Sequence, residues 1–133
     1  MTFLRIESTL PSELEALAKR TIGALLAVHR ELGPGMSESI YAAATRIEFK
    51  DRQIPFESEK RFPVVYRGNV LGHHQLDMVV DSKLIVEIKA VESIHSVHVA
   101  QTVSYLRVTG LRLALLVNFN VPLLARGLRR IVR

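Results

Sequence analysis

The chain has 133 residues, no cysteine and a formal charge of +5. That length fits one domain burying roughly 65–70% of its unfolded surface without covalent staples. The missing thiols exclude disulfides and thiolate metal sites. No apolar run nears the ~20 residues of a membrane span or forms a signal peptide, so a soluble, cytoplasmic protein with no membrane contact is expected.

No repeat, linker or low-complexity segment divides the chain, so a single domain over 1–133 is expected, with 1–9 as an N-terminal extension. The first helix begins near Leu10: Pro11 suits an early helical position, and Ser12 with Glu15 resembles a capping box. Leu14, Leu17, Ile22, Leu25, Leu26 and Val28 form its apolar stripe, and Gly33-Pro34-Gly35 stops it. Ser37 is a good N-cap for a second helix running to about Arg52. Pro55 and Pro63 then exclude helix, 62–66 reads as a strand, and Arg67-Gly68-Asn69 reads as a turn. Strands follow at 75–80 and 84–89, and a helix over 96–108 ends at Gly110. The run from Leu111 to Val117 is nearly all apolar, as in a strand covered on both faces, and a last helix begins after Pro122. The order α-α-β-β-β-α-β-α predicts an α/β fold, with a mixed central sheet flanked by helices on both sides.

The strands at 75–80 and 84–89 carry the chemistry. Side chains alternate between faces, so the register decides which residues meet. A three-residue loop, Asp81-Ser82-Lys83, sets Val80 against Leu84, Met78 against Val86 and Leu76 against Ile88, giving one wholly apolar face. The other face then pairs Asp77 with Glu87 and Gln75 with Lys89. A two-residue loop would set Asp77 against Val86 and spoil both faces. Two carboxylates about 4.5–5.5 Å apart at Cβ repel, and a cation between them relieves the repulsion. Hard oxygen ligands suit Mg²⁺ or Mn²⁺. Lys89, on the same face as Glu87, is placed to meet an attacking water or the phosphate of a transition state. The plain alternative for this common tripeptide is a Glu87–Lys89 ion pair on a solvated face.

Asp77, then Glu87-Ile88-Lys89, then a helix bearing Gln101 and Tyr105, resembles the PD-(D/E)xK nuclease core, and Gln-x-x-x-Tyr resembles its exonuclease-like branch. The run Gly35-Met36-Ser37-Glu38-Ser39-Ile40-Tyr41 has the form G-x-x-E-x-x-Y and is similar to the signature of the small bacterial and archaeal GxxExxY family. The segments VEIKAVESIHSVHVAQTVSYLRVTGLRLALLVNFN and VPLLARGLRRIV also look like that family. The resemblance spans about residues 10–133. It implies a restriction-endonuclease-like fold, metal ligands at Asp77 and Glu87 with Glu38 as a further ligand or water-mediated partner, Lys89 as catalytic lysine and Gln101 as a supporting residue. Tyr105, one turn beyond Gln101, shares its face. Relatives commonly carry an arginine two residues before the aspartate. Gln75 stands there in this chain, which removes one phosphate contact.

Further candidates surround this core. His73 has the parity of Asp77 and is a candidate substrate contact, whereas the adjacent His74 points to the other face. His98 lies on the Gln101 side of its helix. Tyr41 either orients Glu38 and substrate or packs in the core. Arg126, Arg129, Arg130 and Arg133 crowd the last eight residues; Arg129 and Arg130 are candidate phosphate contacts, against simple solvation. No P-loop, dinucleotide fingerprint or nucleophile elbow is present. The expected function is metal-dependent hydrolysis of phosphodiester bonds in nucleic acid, with DNA ahead of RNA. The alternative is a non-catalytic nucleic-acid- or partner-binding module that retains the fold. The apolar fraction of 48% also permits a homo-oligomer.

Overall fold

Pro11 and the Gly33-Pro34-Gly35 break delimit α1 (Ser12–Leu32) in the computed structural model, which describes residues 8–133. The N-terminal extension therefore lies outside the described residues except for Ser8 and Thr9. Leu14, Leu17, Leu25 and Val28 are buried along one stripe of α1. The capping box expected at Ser12 and Glu15 does not form. Pro11 takes the cap position without a side-chain bond, and the Glu15 carboxylate accepts from the Arg130 guanidinium. A bond between full charges outcompetes the neutral N–H that a cap would satisfy. Ser37 does cap α2 (Glu38–Asp51), its hydroxyl accepting from the Ile40 N–H.

The sheet contains β1 (Phe56–Tyr66), β2 (Asn69–Val80), β3 (Leu84–Lys89), β4 (Leu113–Asn118) and β5 (Leu128–Val132), in spatial order β1-β2-β3-β4-β5. Neighbours are antiparallel except β3 and β4, which α3 (Ser96–Thr109) joins by a crossover into parallel pairing. β1 and β2 are much longer than the segments 62–66 and 75–80 that their composition marks. They meet at a two-residue turn, Arg67-Gly68, with φ of 49° and 79°, the left-handed conformation that tight hairpins need. Asn69, expected in the turn, opens β2 and donates its side-chain amide to the carbonyls of Tyr66 and Arg67.

The order of elements runs as predicted through the final helix, but α4 (Leu124–Gly127) is a single turn and the chain continues into an unanticipated strand, β5. All six residues of β4 are buried. A strand covered on both faces makes a poor sheet edge, since its ladder groups would go unpaired against solvent. β5 pairs with β4 from Val117↔Leu128 to Leu113↔Val132 and removes that edge. The architecture is the restriction-endonuclease-like one: a mixed sheet with α1 and α2 on one face and α3 on the other. Met78, Val80, Val86, Ile88, Leu115, Val117 and Phe119 pack with α1 and α2, while Leu76, Val79, Ile85 and Ala114 pack with Tyr105 and Leu106 of α3.

Candidate metal centre

The turn at Asp81-Ser82-Lys83 has the predicted length, and Val80↔Leu84 and Met78↔Val86 are paired as the apolar pattern requires. The ladder between β2 and β3 ends there. Beyond it the two acidic side chains replace backbone bonds. Glu87 Oε1 accepts from the Asp77 N–H at 2.9 Å, and Asp77 Oδ2 accepts from the Ile88 N–H at 2.8 Å. Each carboxylate thus closes a backbone donor that the parting strands would leave orphaned.

This exchange changes the faces of β2. The β1–β2 ladder runs Ser58↔Met78 and resumes at Lys60↔Leu76; Glu59, between them, has a left-handed φ of 52°. Across this break the alternation reverses. Met78 and Val80 face α1 and α2, but Leu76 packs with the α3 side. The expected Leu76–Ile88 contact on a single apolar face is therefore absent. The same reversal decides the histidines. His74 faces α3: its Nε2 lies 3.0 Å from the Ser104 hydroxyl, and its ring meets Tyr105 edge-on at 4.8 Å. His73 is exposed and, as its strand neighbour, points away from that face. Parity counted from Asp77 picks the wrong histidine because the count crosses the break.

Glu87 is buried, at 4% exposure. Burial, with the Asp77 charge beside it, pushes its pKa up to about 8, opposed by the hydrogen bond from the Asp77 N–H and then by the attraction of Lys89. Tyr105 senses the same pair: burial first, then the charges of Glu87 and Asp77, raise its phenol to about 12. Asp77, Glu87 and Tyr105 thus belong to one electrostatic neighbourhood on the α3 side. Lys89 ends β3, half-buried, paired with Asn118 of β4. Gln101 stands exposed one turn before Tyr105 on α3.

The pair suits a hard divalent cation. Asp77 Oδ1 and Glu87 Oε2 have no hydrogen-bond partner among the described residues. Neither is sealed from solvent, since the one buried side-chain polar atom without a partner there is Thr45 Oγ1. One oxygen of each carboxylate is thus free while its sister holds the backbone. The third carboxylate does not converge: no group of three or more acidic, histidine or cysteine side chains is placed to hold a metal among the described residues. Glu38 sits exposed in the first turn of α2, where its charge complements the helix N-terminus.

Other candidates lie elsewhere. Tyr41 is wholly buried, stacked on Phe119 at 4.6 Å; its hydroxyl donates to the Gly33 carbonyl and accepts from the Met36 N–H, so it clasps the α1–α2 connection. Arg130 is held by Glu15 on the α1 side of β5, and Arg129, its neighbour, is exposed on the opposite side. Sequence reasoning passed over Asn118. Buried at the end of β4, it donates Nδ2 to the Val91 carbonyl and accepts from the Val91 N–H, fixing the chain just past Lys89. An amide closing an otherwise apolar strand was the available signal. His74 and Ser104 carried no signal that survives the reversal in β2.

A family profile described as the PD-(D/E)XK nuclease superfamily matches residues 15–131. No curated protein and no solved structure matches the chain.

Proposed function

Since the chain belongs to the PD-(D/E)XK nuclease superfamily, we propose that it hydrolyses phosphodiester bonds in nucleic acid with the help of Mg²⁺ or Mn²⁺, at the site formed by Asp77, Glu87 and Lys89. The observation that carries this reading is the reciprocal lock between Asp77 and Glu87, which spends one oxygen of each carboxylate on backbone and leaves the other free. Those two residues hold the cation. Once bound, it supplies Lewis-acid polarisation of the phosphoryl group and lowers the pKa of water. Lys89, whose charge reaches Glu87, stabilises negative charge developing on the phosphate. Tyr105 stays protonated at neutral pH and is a hydrogen-bond donor on the same side. Gln101 orients substrate from the turn before it, and Glu38 acts through solvent. The Gly35 to Tyr41 run supports a place in the GxxExxY branch.

The test is cleavage of labelled single- and double-stranded DNA and RNA with Mg²⁺, Mn²⁺ or EDTA. Cleavage that needs metal and is lost in Lys89→Ala is the expected result. A folded wild-type protein that cleaves nothing in any condition overturns the enzyme and leaves a binding module.

A further inference from the structure

β3 pairs only with residues Met78 to Val80 of β2, so the rest of the β1–β2 hairpin extends beyond the third strand as a two-stranded ribbon. α3 supports its base through Phe62 and His74. Its tip is different. Val65 and Tyr66 are each 56% exposed, Val70 59% and Leu71 66%. Val65 pairs with Val70 on one face and Tyr66 stands on the other, so both faces of the tip are apolar, and Leu71 is the bulged residue between the Val65↔Val70 and Val64↔Gly72 pairs. Arg67 lies over the Tyr66 ring, 5.2 Å from its centroid. From Lys60 to Leu76 the ribbon carries Lys60, Arg61, Arg67, His73 and His74 and not one Asp or Glu. Exposed apolar residues on a ribbon that is marginal by itself call for a partner. Lys60 is paired with Glu57, so Arg61 and Arg67 are the exposed cations left without an acidic partner among the described residues, and they state that partner's sign.

Resting on the reading that the substrate is nucleic acid, we propose that this ribbon is a second nucleic-acid contact outside the cleavage site. Arg61 and Arg67 neutralise backbone phosphates, while Tyr66 and Leu71 pack against exposed or unstacked bases. Aromatic and apolar side chains flanked by cations are the chemistry that grips splayed bases or wedges between base steps. Seven residues separate Val70 from Asp77, about 23 Å at ~3.3 Å per residue. That span corresponds to roughly seven base pairs at ~3.4 Å each, so substrate must extend about that far past the scissile bond to reach the tip.

The experiment measures binding of fluorescent single- and double-stranded oligonucleotides by anisotropy in EDTA, with the full chain, comparing wild type, Tyr66→Ser/Leu71→Ser, Arg61→Ala/Arg67→Ala and Lys19→Ala. The altered ribbon residues are all exposed, and circular dichroism checks that each variant keeps its fold. The expected result is about tenfold weaker binding for the Tyr66/Leu71 variant. The arginine variant should show a salt dependence shallower by roughly 1.5 in slope, and Lys19→Ala, an exposed cation on α1, should bind nearly as wild type does. Wild-type binding that the ribbon variants leave unchanged overturns the ribbon contact and spares the nuclease reading. A wild type that binds no nucleic acid of any kind in EDTA also overturns the ribbon contact, and cleavage with Mg²⁺ or Mn²⁺ decides the nuclease reading separately. If that wild type also sediments as a dimer that Tyr66→Ser/Leu71→Ser dissociates, the tip belongs to a second copy of the chain.

Discussion

Asp77 and Glu87 each hold the other's strand: the carboxylate of one accepts the backbone N–H of Asp77, and that of the other accepts the N–H of Ile88. The pair is thus part of the sheet as well as of the site, and its substitutions separate the two roles. Asp77→Ala strands the Ile88 N–H at the buried end of β3 and is expected to cost about 1–3 kcal/mol. Asp77→Asn keeps an oxygen for that bond and should cost less, yet lose a charged ligand. Urea unfolding with and without Mn²⁺ checks both. Wild type should gain about 2.7 kcal/mol at a metal concentration 100 times the Kd, and the Asn variant should gain far less at that same concentration.

The raised pKa of Glu87 makes stability depend on pH. Its folded value of about 8 lies above the 4.5 of an unperturbed glutamate, so the folded state holds a proton that the unfolded state gives up. The contribution is fully present below pH ~4.5 and disappears as pH rises through 8, a loss on the order of a few kcal/mol. In EDTA the melting temperature of wild type should therefore fall between pH 5 and 8, and Glu87→Gln should flatten the fall. A divalent cation, which binds the ionised form, should reverse the slope over the same interval. Equal pH profiles for wild type and Glu87→Gln would contradict the shift.

Tyr41 distinguishes scaffold from substrate contact. Its hydroxyl is engaged by Gly33 and Met36 and its ring by Phe119. Tyr41→Phe should lower stability by about 1 kcal/mol while leaving KM for a cleaved oligonucleotide unchanged. A raised KM at unchanged stability would return Tyr41 to the substrate.

Gly127 is required where α4 passes the end of β4. A Cβ there would come within 2.1 Å of the Asn118 carbonyl oxygen and 3.0 Å of Val121. Gly127→Ala forces backbone to move and should cost at least ~1–3 kcal/mol by thermal denaturation. Because Asn118 also holds Val91, just beyond Lys89, metal-dependent activity should fall more than stability alone accounts for.

Local chemistry made much of this protein legible from sequence. Ser37, the Gly-Pro-Gly break and Gly110 mark helix ends because caps and left-handed turns are properties of a few adjacent residues. The length of the Asp81 turn and the pairing of Met78 with Val86 follow from which register buries apolar side chains, and that logic brought Asp77 and Glu87 together. What lay beyond the sequence depends on contacts between distant segments. Parity counting assumes an unbroken ladder, and only the folded sheet shows the break opposite Glu59 that turns Leu76 and His74 toward α3. Glu15 reads as a cap partner until Arg130, 115 residues away, arrives to claim it. Residues 128–132 become a strand because the buried edge of β4 needs a partner, a demand that no window of the C-terminal sequence contains.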